Sequence, residues 1–418
     1  MSRAGLLSLL VAFGVFSPAT AADTWVLEAG KLYSAPDVPA INDAVVLIRD
    51  GKIVAAGPRN IVQIPKGARI SECSGGVVTA GFQNSHVHFV EAAWNDAAHA
   101  PAAGLTRQLE AMLTRYGFTT VFDTNSDITN TVALRERIEK GEIRGPRILT
   151  AGIALYPPDG IPFYLRDMPP EVLAKIQRQP KNAAEAREDV RQNLASGADA
   201  TKLFLHTSPD MKTQRFMSIE VARAAAEETH SRGKLVLAHP TSLDGVRGAL
   251  AAGVDILVHT TLGERQPWDA GVIAEMKAKH MSVIPTFKLW PYELRKVDVP
   301  PEVVDKLVGA TLQELRSFSE AGGQVLFGTD VGYMHEYDPS DEYHFMAQAG
   351  LSHMQILASL TTAPAERWDE SARRGRVAPG LDADLVVLTD DPARDVRNFA
   401  SVRCAFRTGK PVFTASPQ

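Results

Sequence analysis

The middle of the chain repeats one alternation, a short apolar run followed by a longer stretch with helical spacing. The runs expected as strands are Phe118 to Asp123, Arg147 to Ala151, Ala200 to Leu205, Lys234 to Ala238, Ile256 to His259, Ser282 to Thr286 and Val325 to Gly328. Helical segments lie between most of them. In Asn182 to Ala195, the residues Ala186, Val190 and Leu194 fall on one stripe; Ile219 to Ser231 and Pro301 to Ala321 behave alike. A strand can reach a parallel neighbour only through a long crossover, so this order calls for βαβ units on a parallel sheet. Adding the strand that ends in the first histidines gives about eight repeats over about 280 residues, the size of a (β/α)8 TIM barrel.

The two ends read differently. Trp25 to Leu32, Ala44 to Ile48 and Lys52 to Ala56 are short strands, with Asp50-Gly51 as a hairpin turn. Asp384 to Leu388, Ser401 to Phe406 and Pro411 to Thr414 look similar, with Thr408-Gly409-Lys410 turning between the last two. Both ends are expected to build one small β-sandwich domain. The expected division is a signal peptide over 1–22, a composite sandwich over 23–79 and 365–418, and the barrel over 80–364.

The leader expectation rests on Arg3, the apolar run Leu6 to Phe16 and the A-x-A site Ala19-Thr20-Ala21. That order marks a cleavable export signal, and the expected location is secreted, the periplasm before the surrounding medium. No later segment holds some 18 unbroken apolar residues, so no membrane association is expected once the signal is removed. With 22% charged residues, a net charge of -5 and no basic patch, nucleic acid is not an expected partner. There are two cysteines, Cys73 just before the barrel and Cys404 just after it. An oxidising compartment allows a disulfide, and two free buried thiols remain the alternative, because sequence alone does not show that their Cβ atoms meet.

The chemistry begins at His86-Val87-His88. On a strand, residues i and i+2 face one side, so both imidazoles point into one space. Alone, the triplet reads better as two surface histidines than as a metal site. Lys202 lies inside the apolar run Ala200-Thr201-Lys202-Leu203-Phe204, where burial would lower its pKa and make the amine nucleophilic. His239, His259 and Asp330 each close an apolar run, the place where barrel active sites are built. Four histidines, a lysine and a carboxylate at equivalent points of successive repeats suit zinc and neighbouring divalent ions.

These residues resemble the amidohydrolase superfamily, in its imidazolonepropionase-like and prolidase-like branch. The matching segments are Gly81 to His88, Gly117 to Val121, Ala198 to Lys202, Ala238-His239, Ala252 to His259, Gly328-Thr329-Asp330, Thr361 to Ala365 and Gly375 to Val387. The resemblance implies a metal-dependent hydrolase with two divalent metal ions, zinc being the expected one. His86, His88 and Asp330 would hold one ion, and His239 and His259 the other. Lys202 would be carbamylated and bridge them. A metal-bridging hydroxide would then attack a carbonyl and cleave a C–N bond in an amide, peptide or cyclic amide, with Asp330 as the catalytic proton acceptor. An esterase or lactonase using the same site, or a barrel that keeps metal without chemistry, are the alternatives. The chain departs from the family pattern at Ala80, at Asn84 and in the loop His206-Thr207-Ser208-Pro209, so a dipeptide specificity does not carry over.

The expected partner is a small-molecule substrate, and family analogy leaves a homo-oligomer open. Candidate substrate-binding residues are His206, Arg215, His344 and Tyr156. Arg215 offers a bidentate fork to a carboxylate. His335, Trp290 and Tyr292 are further candidates for the pocket or its rim.

Overall fold

The computed structural model describes residues 24–165, 168–210, 212–262 and 267–416, so the expected leader lies outside the described residues. Among them, no helix is long and apolar enough to cross a membrane.

Both ends of the chain enter one sheet. Its strands run in the order Lys410–Thr414, Val402–Arg407, Leu385–Leu388, Val77–Ala80, Thr24–Leu32, Ile41–Arg49 and Lys52–Pro58, with the short strand Arg69–Ile70 paired to Thr24–Leu32. The hinge of the assembly is Val77–Ala80, which runs parallel to one terminal strand through Leu32 and Val78 and antiparallel to another through Val78 and Val387. Asp50 and Gly51, at φ 51° and 75°, and Thr408 and Gly409, at 46° and 74°, make tight turns whose left-handed backbone matches the twist of the strands they join. Hydrogen bonds link the strands into one continuous sheet, where a sandwich of two sheets was expected. One face nonetheless encloses its own core, because Leu27, Val46 and Ile53 share a cluster with Leu385, Val387 and Phe406.

Cys73 and Cys404 are joined in this sheet region, across a sequence separation of 331 residues. The bond restricts the unfolded chain far more than the folded one. Replacing both cysteines by serine is expected to lower unfolding free energy by about 3 kcal/mol, read from denaturant midpoints. An unchanged midpoint would show that the bond adds nothing to the folded state.

The central strands run parallel. Phe82–Val87, Phe118–Asp123 and Arg147–Thr150 pair in that order. A second run orders Ala200–Phe204, Leu235–His239, Ile256–Val258 and Ser282–Ile284. The two runs meet where the amide of Asp199 donates to the carbonyl of Thr150 at 2.6 Å. The expected strand Val325 to Gly328 is not a ladder. Leu326 donates to the Val283 carbonyl at 2.9 Å, while the Phe327 carbonyl accepts from Ser85 at 2.7 Å and Asp330 donates to the His86 carbonyl at 2.9 Å. The segment thus serves the last regular strand on one side and the first on the other. Gly328 permits this, since a Cβ there would sit 2.4 Å from Ile284 and 2.8 Å from His86.

Two more strands stop early, and for a shared reason. Ile256–Val258 ends before His259, at φ 78°, and Ser282–Ile284 ends before Pro285 and Thr286, at φ 47°. A proline has no N–H for the ladder, and left-handed backbone breaks it. The helices between the strands are capped by side chains that accept from their first turns: Asn182 from Glu185, Ser218 from Val221 and Ser242 from Gly245. They direct the C-terminal ends of the strands to one side, where the candidate ligands collect.

Candidate active site

His86, His88, Lys202, His239, His259 and Asp330 all line one cavity of about 360 Å3 at that side. His86 Nε2 and His88 Nε2 are 3.1 Å apart, and one oxygen of Asp330 lies 3.2 Å from the first and 2.9 Å from the second. His259 Nε2 is 4.0 Å from the other Asp330 oxygen. The rings of His239 and His259 are 4.6 Å apart, centroid to centroid. Lys202 comes from Ala200–Phe204, the strand paired with Leu235–His239 on the side away from Ile256–Val258, and is 1% exposed.

Hydrogen bonds fix which nitrogen faces the centre. The carbonyl of Asn125 can only accept, so the 2.8 Å contact makes His88 Nδ1 a donor and turns Nε2 toward Asp330. The hydroxyl of Thr286 gives its proton to the Pro285 carbonyl at 2.8 Å, so in its contact with His259 Nδ1 it accepts. His259 Nε2 is then unprotonated and free to bind an ion. Burial, reinforced by the Lys202 charge, holds the pKa of His86 and His239 well below the usual histidine range. For His259, burial acts with the neighbouring His239 and Lys202. Burial also pushes the Lys202 amine down to about 7. His88 differs: burial lowers its pKa, but its hydrogen bond to Asp330, the charges of Asp330 and Asp123 and its bond to the Asn125 carbonyl together outweigh burial and raise it.

The donor set fits a divalent cation. Neutral imidazole nitrogens and a carboxylate converge in a buried space, and the ligand atoms of His86, His259 and Asp330 lie within 4.8 Å of one another. The backbone is bent to place them, since His259, Thr286 and Asp330 (φ 62°) are left-handed without being glycine.

Of the further candidates, Tyr156, His206 and Trp290 line the cavity. Asn125 Oδ1 accepts from the Ala154 amide at 3.1 Å, so its Nδ2 donates to the Tyr156 oxygen at 3.0 Å. The phenol proton is left for another acceptor, and burial raises the Tyr156 pKa well above 10 so that this proton stays on. Tyr156 stacks on Phe204, and Phe204 on His239, at 4.1 and 4.8 Å. His206 is held by Ser242 at 2.8 Å and by Phe216 stacked at 4.3 Å.

Arg215 and His344 do not line the cavity. Arg215 and Phe216 alternate on a two-residue strand; Phe216 covers His206, and Arg215 stands exposed with its Nη1 on the Gln214 carbonyl at 3.4 Å. His344 follows the fully buried Tyr343 on the helix Ser340–Gln348, so it faces another direction. His335 is exposed beside Glu91, and Tyr292 packs under Lys296. Sequence reasoning missed Asn125 and Thr286. Asn125 stands just past the strand end at Asp123, a position that could have signalled it. Nothing local marks Thr286.

Imidazoles and a carboxylate at the C-terminal ends of parallel strands form the kind of centre used by divalent-metal hydrolases. Residues 77–412 match the amidohydrolase family, and the chain belongs to it. Ochratoxinase from Aspergillus niger is 23% identical over 227 residues, 51% of this chain and 46% of the relative. The chain therefore spans about half the length of the curated relatives it matches. The solved A. niger ochratoxinase shares the fold at a TM-score of 0.77 and 21% identity, over 94% of this chain and 96% of that one. A prolidase complexed with N-methylphosphonate-L-proline has a TM-score of 0.75 at 25% identity, over 94% and 100%.

Proposed function

We propose that this protein hydrolyses an amide bond flanked by large apolar groups, at a two-metal centre in a (β/α)8 barrel. The convergence of Asp330 with imidazole Nε2 atoms on the floor of an apolar cavity carries the reading. The bonds that the segment 325–330 makes to both the last and the first regular strands support closure of the barrel.

In this reading His86, His88 and Asp330 would hold one ion, and His239 and His259 the second. Lys202, as a carbamate, would add an anionic oxygen ligand to this set. Its lowered pKa favours the neutral amine, which would add to carbon dioxide and release one proton to water as the carbamate forms. The ions, when bound, lower the pKa of a water toward neutrality and polarise the substrate carbonyl. Asp330 takes the proton of the attacking water and delivers it to the leaving nitrogen. Tyr156 donates its phenol proton to the oxygen on which charge develops, held in line by Asn125. Pro162, Phe163, Leu165 and Ile176 form one wall with Phe204, and Leu262, Leu289 and Trp290 form another. Walls of this kind exclude water and select apolar flanks. The disulfide supports export to an oxidising compartment.

The test is metal content per chain, with amide turnover before and after chelation. About two zinc ions per chain are expected, with activity lost on chelation and restored by zinc together with bicarbonate. Full activity in metal-free protein would end this reading. Equal turnover of an amide and its matching ester would move the preference off the C–N bond.

A further inference from the structure

The left-handed turn at Thr286 needs something to hold it. Threonine is β-branched, and a positive φ places its Cβ against its own backbone, a conformation that persists only when surrounding structure imposes it. The turn matters because the Thr286 hydroxyl sets which nitrogen of His259 faces the centre.

The restraint comes from a distant helix. Glu342, in Ser340–Gln348, is fully buried. Its two carboxylate oxygens accept from the consecutive amides of Phe287 and Lys288, at 3.0 and 2.9 Å. Those two N–H groups follow Thr286 directly, and no strand partner is left for them there. The Lys288 side chain is buried as well, and its ammonium donates to the carbonyls of Glu336 (2.9 Å) and Asp338. One carboxylate and one ammonium thus clamp the turn after Ser282–Ile284 to the loop that follows Asp330. Burial pushes the Glu342 carboxyl up to about 7, against the opposing pull of the two amides and Lys288.

We propose that Glu342 is a positioning residue for the metal centre, holding the Thr286 turn so that the Thr286 hydroxyl keeps His259 Nε2 directed at the ion. It touches neither substrate nor ligand and acts through Thr286. The inference rests on the metal-centre reading above.

The experiment compares zinc affinity, by competition with a chromophoric chelator, in the natural protein, E342Q, T286V and T286V/E342Q. Melting of the metal-free forms is followed alongside. The natural protein is measured first: no zinc bound there would defeat the metal reading itself. Given binding, E342Q and T286V are each expected to weaken zinc roughly 10- to 100-fold, the range for groups behind a ligand. T286V/E342Q should be no weaker than T286V, since Glu342 has nothing to hold once the hydroxyl is gone. Natural zinc affinity in E342Q, or losses that multiply in the double variant, would overturn the proposal. Should E342Q fail to fold, K288M/E342L removes both buried charges together. It is expected to fold and to bind zinc at least about tenfold more weakly; unchanged zinc affinity in that variant would overturn the proposal equally.

Discussion

Asp330→Asn is expected to lower kcat/KM for the amide by roughly 10^4-fold, nearly all of it in kcat. Asparagine keeps the size of the side chain and one oxygen acceptor. It cannot take a proton from water or return one to a leaving nitrogen. It also removes the negative charge that sits 2.9 Å from His88 and 3.2 Å from His86, so zinc content should fall as well. The two losses are separable: excess zinc restores metal content but not the proton step. The variant is therefore assayed at saturating zinc, with substrate held above KM. Near-normal turnover under those conditions would remove Asp330 from the chemistry and leave it a ligand only.

This dependence is concentrated in residues that a one-dimensional reading reaches well. His86 and His88 were visible because a strand repeats every two residues. Lys202 was visible because a charge interrupts an apolar run. His239, His259 and Asp330 were visible because each closes such a run. In every case the signal is local, and the strand geometry converts it into position.

What escaped has a different physical origin. Glu342 acts on backbone amides more than fifty positions earlier, and no periodicity links a helix carboxylate to a turn it happens to meet in space. Thr286 carries no mark because its conformation is imposed by neighbours, against its own preference. Arg215 was expected at the pocket for its bidentate fork, and His344 because relatives often place a pocket residue at that point. Which way a side chain points is set by the pairing of a two-residue strand and by the rotation of a helix, and tertiary packing fixes both. The strand expected at Val325 to Gly328 failed as a ladder for a related reason. The apolar run is real, but it bonds to two neighbours at once and bends into the left-handed Asp330.

Lys202 carries the second large expectation, in which stability and function move in opposite directions. Its amine is buried among His86, His239 and His259, and desolvation lowers its pKa to about 7. In the metal-free protein this burial is a cost, because the unfolded chain keeps the amine protonated up to about 10.5. Lys202→Met fills similar space without a charge, and should stabilise the metal-free protein by roughly 2–4 kcal/mol at pH 6. The sign follows from the lowered pKa. Below pH 7 both states are protonated and the full cost is present. Between about 7 and 10.5 the unfolded state binds more protons, so the natural protein gains stability as pH rises and the advantage of the variant shrinks. The same change deletes the group proposed to bridge the ions. Bound zinc should fall from about two per chain to one or fewer, and kcat/KM by about 10^3-fold, the loss of several kcal/mol of charge stabilisation. Denaturant unfolding of the metal-free forms at pH 6 and pH 9, with zinc analysis and turnover on the loaded forms, reads all of this together. A variant that is more stable without metal and inactive with it identifies a lysine retained for chemistry at the expense of the fold. A variant that is less stable, and still binds two zinc ions, would make Lys202 an ordinary packing residue.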